Sequence, residues 1–166
     1  MSVHTTPDSY TKLLLQSETS NGSTTFVDSS ATSHTVVTNG DPAHSTTQAK
    51  FGSTSIHCDA TADGFGAAAS SEFELGTQDW TFDFWWYPTS IESENYLLQT
   101  TGGYTMLCLY YPSNNGWKII HNNPTSWQTT VQGGAGTLTA NVWHHIAFVR
   151  SANYHTVYLD GVIVAG

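Results

Sequence analysis

Residues Trp80 to Pro88 read WTFDFWWYP: six aromatic side chains in nine residues, with one carboxylate, Asp83, among them. In a strand, successive side chains point to opposite faces. Trp80, Phe82, Phe84 and Trp86 then share a wholly aromatic face that must meet a core, where each ring contributes about 2–3 kcal/mol on leaving water. Thr81, Asp83, Trp85 and Tyr87 share the other face, which is amphipathic. The segment is therefore a strand with one face committed to packing and one face whose use is open.

The rest of the chain has the same character. No segment sustains a period of 3.6. Short β-branched or aromatic runs are split by Gly, Asn, Asp, Ser and Pro, the pattern of an all-β sandwich or barrel. Strands are predicted at KLLLQ (Lys12–Gln16), STTFVDSS, HTVVTNG (His34–Gly40), STSIHCDA (Ser53–Ala60), FGAAAS, WTFDFWWYP, NYLLQT, YTMLCLYYP, GWKIIHN, WQTTVQG, TLTA, VWHHIAFVR and HTVYLDGVIVAG. In the last, Asp160-Gly161 sits between two apolar runs, and Asp-Gly favours a type I′ hairpin turn. SSEFELGTQ (Ser70–Gln78) has room for one helical turn, and no long helix is expected.

The charge balance removes whole classes of function. Four basic residues, Lys12, Lys50, Lys118 and Arg150, stand against 13 acidic ones, for a formal net charge of −9. Such a chain cannot neutralise a run of phosphates, which argues against nucleic-acid binding, and anionic membranes are disfavoured in the same way. No apolar run is long enough to cross a bilayer, and the opening MSVHTTPDSYTKLLLQ lacks the basic and apolar regions of a secretory signal. The expectation is synthesis in a cytosol, with release by lysis or within a larger assembly. Without a signal, Cys58 and Cys108 read as two buried free thiols rather than a bridge.

Four segments taken together resemble the laminin-G-like branch of the concanavalin-A-like jelly rolls. They are LLLQSETSNGSTTFVDSSATSHTVVTNG, STTQAKFGSTSIHCDATADGF, SSEFELGTQDWTFDFWWYP and NVWHHIAFVRSANYHTVYLDGVIVAG. Their order and spacing match the family across nearly the whole chain. The resemblance implies a single domain over residues 1–166: an antiparallel two-sheet jelly-roll sandwich with one concave sheet. Similar domains occur in phage and viral structural proteins, adhesins and sugar-binding appendages. The implied function is a non-enzymatic virion component (capsid decoration, fibre or tail) at the virion surface, bound to other virion proteins or to copies of itself. The alternative is a carbohydrate-binding adhesion module for cell-surface glycans. Such domains usually continue past the hairpin at Asp160-Gly161 with a closing strand. Here the sequence stops at Gly166, so an open edge, and with it a homo-oligomer, is expected.

Individual residues give candidate sites. Asp83, Trp85 and Tyr87 could stack on a sugar ring and bind its hydroxyls, or form a face packed by a loop or a neighbouring subunit. Tyr110, Tyr111, Trp117 and Trp127 lie beside asparagines in LYYPSNNGW and around KIIHNNPTS. These residue types build sugar sites and protein interfaces alike, or simply pack at a rim. Asp59 and Asp63 in CDATADGF could form part of a calcium site, which needs six to eight oxygen ligands, or an ordinary Asx-turn. His144 and His145 point to opposite faces of one central strand and read as hydrogen-bonded packing residues. Catalysis is not expected, since a glycosidase needs two carboxyls at defined separation. Asp83 has Thr81 and Trp85 as same-face neighbours, and the alternating pairs Glu72/Glu74 and Glu92/Glu94 fall in polar turns.

Overall fold

The structure is a computed structural model. It describes residues 7–100, 105–112, 116–123, 126–134 and 138–166, except the side chains at positions 105, 122, 123 and 126–128. Among the described residues the chain is all-β, with one 3-10 turn at Ser71–Phe73, where the sequence leaves room for it. No helix there is long and apolar enough to cross a membrane. The chain divides into two compact units, Met1–Phe73 and Glu74–Gly166.

The first unit has little regular structure. Strands β1 (Val36–Asn39) and β4 (Gly64–Ala67) pair antiparallel, as do β2 (Ala43–Ser45) and β3 (Ser55–His57). The expected strands at KLLLQ and STTFVDSS do not form, and only a single bridge joins Leu15 to Asp28. A side chain takes the place of a ladder. The buried Asp28 carboxylate accepts the N–H groups of Leu14 (2.9 Å), Ser30 (2.8 Å) and His34 (2.7 Å) and the Ser30 hydroxyl (2.7 Å). Nearby, Glu72 accepts from Thr32, pairs with Lys12 and meets the His34 ring. His44 is held between the Ser17 hydroxyl and the Thr25 carbonyl.

The second unit is a sandwich of two four-stranded antiparallel sheets. One runs β12 (Val162–Ala165), β11 (Tyr154–Leu159), β10 (His144–Ser151), β5 (Trp80–Trp86). The other runs β6 (Asn95–Gln99), β7 (Thr105–Tyr111), β8 (Gly116–Asn123), β9 (Ser126–Gly133). The core is filled from both inner faces: Trp80, Ile146, Phe148, Val157 and Leu159 from one, Met106, Cys108, Tyr110, Trp117, Ile119 and Val131 from the other. The alternation read from WTFDFWWYP holds, with Trp80, Phe82, Phe84 and Trp86 turned in and Thr81, Asp83 and Trp85 exposed. At the β11–β12 hairpin Asp160 and Gly161 have φ of 51° and 80°, the left-handed pair that a type I′ turn requires. Gly134 (φ 59°) passes so close to the Val164 carbonyl that a Cβ there would collide with it, so the segment after β9 lies against β12. Leu138–Ala140, within the expected TLTA strand, is not a strand.

Cys108 is buried, as expected. Cys58 is exposed, which corrects the sequence reading; it lies beyond the end of β3 in a loop rather than in the strand expected over Ser53–Ala60. Both thiols are free.

Candidate functional site

The outward face of β5 and β10 carries the densest set of exposed functional side chains. Strand register places His145 opposite Trp85 and Ala147 opposite Asp83. His145 reaches diagonally, as cross-strand neighbours can, so that its Nε2 lies 3.0 Å from Asp83 Oδ2. An ionised carboxylate only accepts, so Nε2 carries the proton and donates it. The His145 ring also packs against Trp85, with centroids 5.2 Å apart and planes at 44°. Next along the face, Tyr87 packs on Trp143 at 5.4 Å. Trp85 remains 38% exposed, and Asp83 is exposed.

The Asp160 turn fixes this face from behind. Asp160 Oδ1 accepts the His145 N–H (2.8 Å), its own N–H donates to the His145 carbonyl (2.8 Å), and its Oδ2 lies 2.7 Å from His144 Nδ1. His144 Nε2 accepts the Thr139 N–H at 3.2 Å, which leaves Nδ1 as the protonated nitrogen donating to Asp160. Burial works to raise the Asp160 pKa, but the bonds from His144 and the His145 N–H outweigh it and hold the carboxyl below its ordinary value. Both histidines are thus hydrogen-bonded, His144 into the buried layer and His145 onto the exposed face. The site is two aromatic surfaces beside a carboxylate whose orientation is set by a histidine, suited to stacking on an apolar ring face while accepting hydroxyl hydrogen bonds.

The second candidate group divides. Tyr110 (5% exposed) and Trp117 (0%) are core residues packed on each other at 5.0 Å, not rim or ligand residues. The reason is phase: Tyr110 alternates with Met106 and Cys108 on β7, and Trp117 with Ile119 on β8, all facing inward. Tyr111, one residue on, faces outward under the Lys118 ammonium, 4.4 Å from its ring centroid. It lies on the outer face of the other sheet, apart from Asp83. Trp127 falls in β9, and its side chain lies outside the described residues. Most of KIIHNNPTS lies in β8, which contains the strand expected at GWKIIHN.

In the first unit Asp59 and Asp63 do come together, with Asp41 as a third carboxylate, all within 4.8 Å. Asp41 was not visible from sequence; the β1–β4 pairing brings it in by setting Asn39 against Gly64. Asp63 Oδ1 accepts the Asp41 N–H (3.0 Å), and Oδ2 accepts those of Asp59 (2.9 Å) and Ala60 (3.0 Å). These bonds, that from Asp41 first, hold its carboxyl below the ordinary value. The Asp63 carboxylate thus closes the Asp59–Asp63 loop on itself and ties it to Asp41, with bonds running back up the chain rather than to the i+2 N–H of an Asx-turn. Asp41, Asp59 and Asp63 together make a three-carboxylate group with the geometry to hold a cation, short by themselves of the six to eight oxygens that calcium takes. The neighbouring Cys58 thiol, although exposed, is pushed up by partial loss of hydration and by the Asp63 and Asp59 carboxylates, which disfavours a reactive thiolate.

The family model described as the concanavalin A-like lectin/glucanases superfamily matches residues 59–166. Comparison with curated proteins and with solved structures gives no match.

Proposed function

We propose that this chain, which belongs to the concanavalin A-like lectin/glucanases superfamily, is a non-enzymatic glycan-binding module whose site is the outer face of β5 and β10. The observation that carries the reading is Trp85, more than a third exposed, beside Asp83 and braced by His145. Aromatic rings of this kind offer a large rigid surface at little entropic cost, with polar groups fixing orientation. The partner that Asp83 holds is a histidine rather than a second carboxyl, which supports binding over hydrolysis. The test is a broad glycan array with the purified chain, run with and without calcium. The expected result is a signal that survives chelation and is lost in Trp85→Ala. A blank array would overturn the reading, and hydrolysis of a bound glycan abolished by Asp83→Asn would replace it with an enzymatic one.

A second reading is a structural component of a virion or similar particle, bound to copies of itself or to neighbouring proteins. It is supported by the β11–β12 hairpin, where Val162 and Ile163 are 65% and 60% exposed. Light scattering on a sizing column decides it: a defined multimer supports assembly, and a monomer at high concentration removes it.

A further inference from the structure

One end of the second unit's core is polar. The alternation that sends Phe82, Phe148 and Val157 inward also sends Trp80, Arg150 and His155 inward. Strand register sets these side by side, Trp80 opposite Arg150 and Arg150 opposite His155. From the other sheet comes His121, in phase on β8 with the fully buried Trp117 and Ile119. Its ring meets that of His155 with centroids 4.9 Å apart, and Trp80 packs on His155 at 5.7 Å. The buried Arg150 guanidinium is anchored by the carbonyls of Thr77 and Gln78, with the exposed Asp79 carboxylate 3.7 Å away. Trp80 Nε1, His121 Nε2 and His155 Nε2 are sealed from solvent with no hydrogen-bond partner among the described residues.

Neutral imidazoles can sit in such a place, since a ring can pack as an apolar surface. A protonated one cannot do so cheaply, because a buried charge without an acceptor is strongly disfavoured. The charged groups facing the pair make this worse. Arg150 approaches from β10, and the acidic group near it, Asp79, pairs with Arg150. Strand β5 contributes Trp80 and β7 sets Met106 opposite His121, while β9 and β12 contain no titratable residue.

We propose that the His121–His155 pair, two rings in tilted contact, is an acid-responsive latch between the two sheets, closed while both rings are neutral and opened when a proton is forced in beside Arg150. Consistent with this, burial, with help from His121 and Arg150, pushes His155 down to about 4, and burial followed by Arg150 lowers His121. The sign follows. Between the ordinary histidine value of 6.5 and about 4 the unfolded chain takes up protons that the folded sandwich refuses, so stability falls as pH falls through that window.

The test uses the full chain. All six tryptophans lie in the second unit, so indole fluorescence reports its unfolding alone. The first measurement is the NMR titration of the two imidazoles. The second is the fluorescence-detected Tm at pH 7.5 and pH 5 for the wild type and for H121F/H155F, which keeps the ring shape and removes the nitrogens. Both rings are expected to titrate below 6.5, His155 down to about 4, and the wild-type Tm to fall by roughly 5 °C. That fall should shrink by about half or more in the double variant. His155 titrating within about half a unit of its ordinary value, or either ring titrating above it, would overturn the proposal, as would an undiminished fall in the variant. Should the double variant fail to fold at pH 7.5, the wild-type ring titration decides alone.

Discussion

In the first unit the side chains most removed from water are Asp28, Ser30, Pro42, His44 and Thr54; in the second they are led by Trp117, Phe148, Ile119, Ile146 and Val157. The first set is organised by directed bonds, above all the carboxylate of Asp28, which stands in for a strand partner to three backbone N–H groups. The second set is organised by volume, with aromatic and aliphatic side chains from two sheets filling one interior. A hydrogen-bonded loop system fails when one acceptor is lost, because several donors are stranded together. A packed core fails in proportion to the volume removed. The two units should therefore answer different perturbations.

The largest effect is expected from Trp117→Ala. Trp117 is fully buried and touches both Tyr110 and Phe148. Its removal should cost about 4 kcal/mol through lost burial and the remaining cavity. Urea unfolding followed by the fluorescence of the other tryptophans reads this directly. A loss under about 1 kcal/mol would mean that the two sheets do not depend on a shared core.

Asp28→Ala is the matching perturbation of the first unit and should cost about 3 kcal/mol, since three backbone N–H groups lose their acceptor. Hydrogen exchange at Leu14, Ser30 and His34 is the measurement, and unchanged protection there would remove Asp28 from its organising role. Acid does the same thing reversibly. Burial works to raise the Asp28 pKa, but the donors from Leu14, Ser30 and His34 outweigh it and hold the carboxyl below 3.8. The stability it contributes is thus complete above that value and is lost only as pH falls through the lower folded one. The order in acid separates the two groups: the second unit should lose stability from about pH 6.5 downward through His155, whereas the Asp28 contribution to the first is lost only below 3.8. Exchange at Leu14 rising before tryptophan fluorescence changes would reverse that order.

The same contrast explains what could be read from sequence. Strands β5, β7, β10 and the β11–β12 hairpin were legible because burial on one face leaves an alternating signature, and Asp160-Gly161 marks its own turn. KLLLQ looked like a strand because its leucines are apolar. Its place is set instead by a side-chain bond to Asp28, which no local pattern reveals. Strand β2, reading AHS, carries no apolar alternation at all. Tyr110 and Trp117 were misplaced by the asparagines near them in sequence, whereas their phase with Met106, Cys108 and Ile119 decides their direction. At the candidate face, Asp83, Trp85 and Tyr87 could be grouped by period 2. His145 could not be added, because only the β5–β10 register, across 62 residues of chain, brings it to Asp83.

The finest version of the comparison lies between two adjacent residues, Trp85 and Trp86. They have the same side chain and sit on the same strand, one residue apart on opposite faces. Trp86 packs against the core cluster, and Trp85 lies outside over His145. Trp86→Ala should destabilise the second unit by about 3 kcal/mol. Trp85→Ala should change its stability by less than about 1 kcal/mol, because the ring lies on the outer face, more than a third of the residue already meets water, and its loss leaves no enclosed cavity. Urea midpoints of the two variants, measured side by side, give the difference. If Trp85→Ala proved as damaging as Trp86→Ala, its ring would be a structural cover for the sheet, and the outer face would lose its standing as a binding surface. If the midpoint holds while glycan binding disappears, the exposed ring is there for a ligand rather than for the fold.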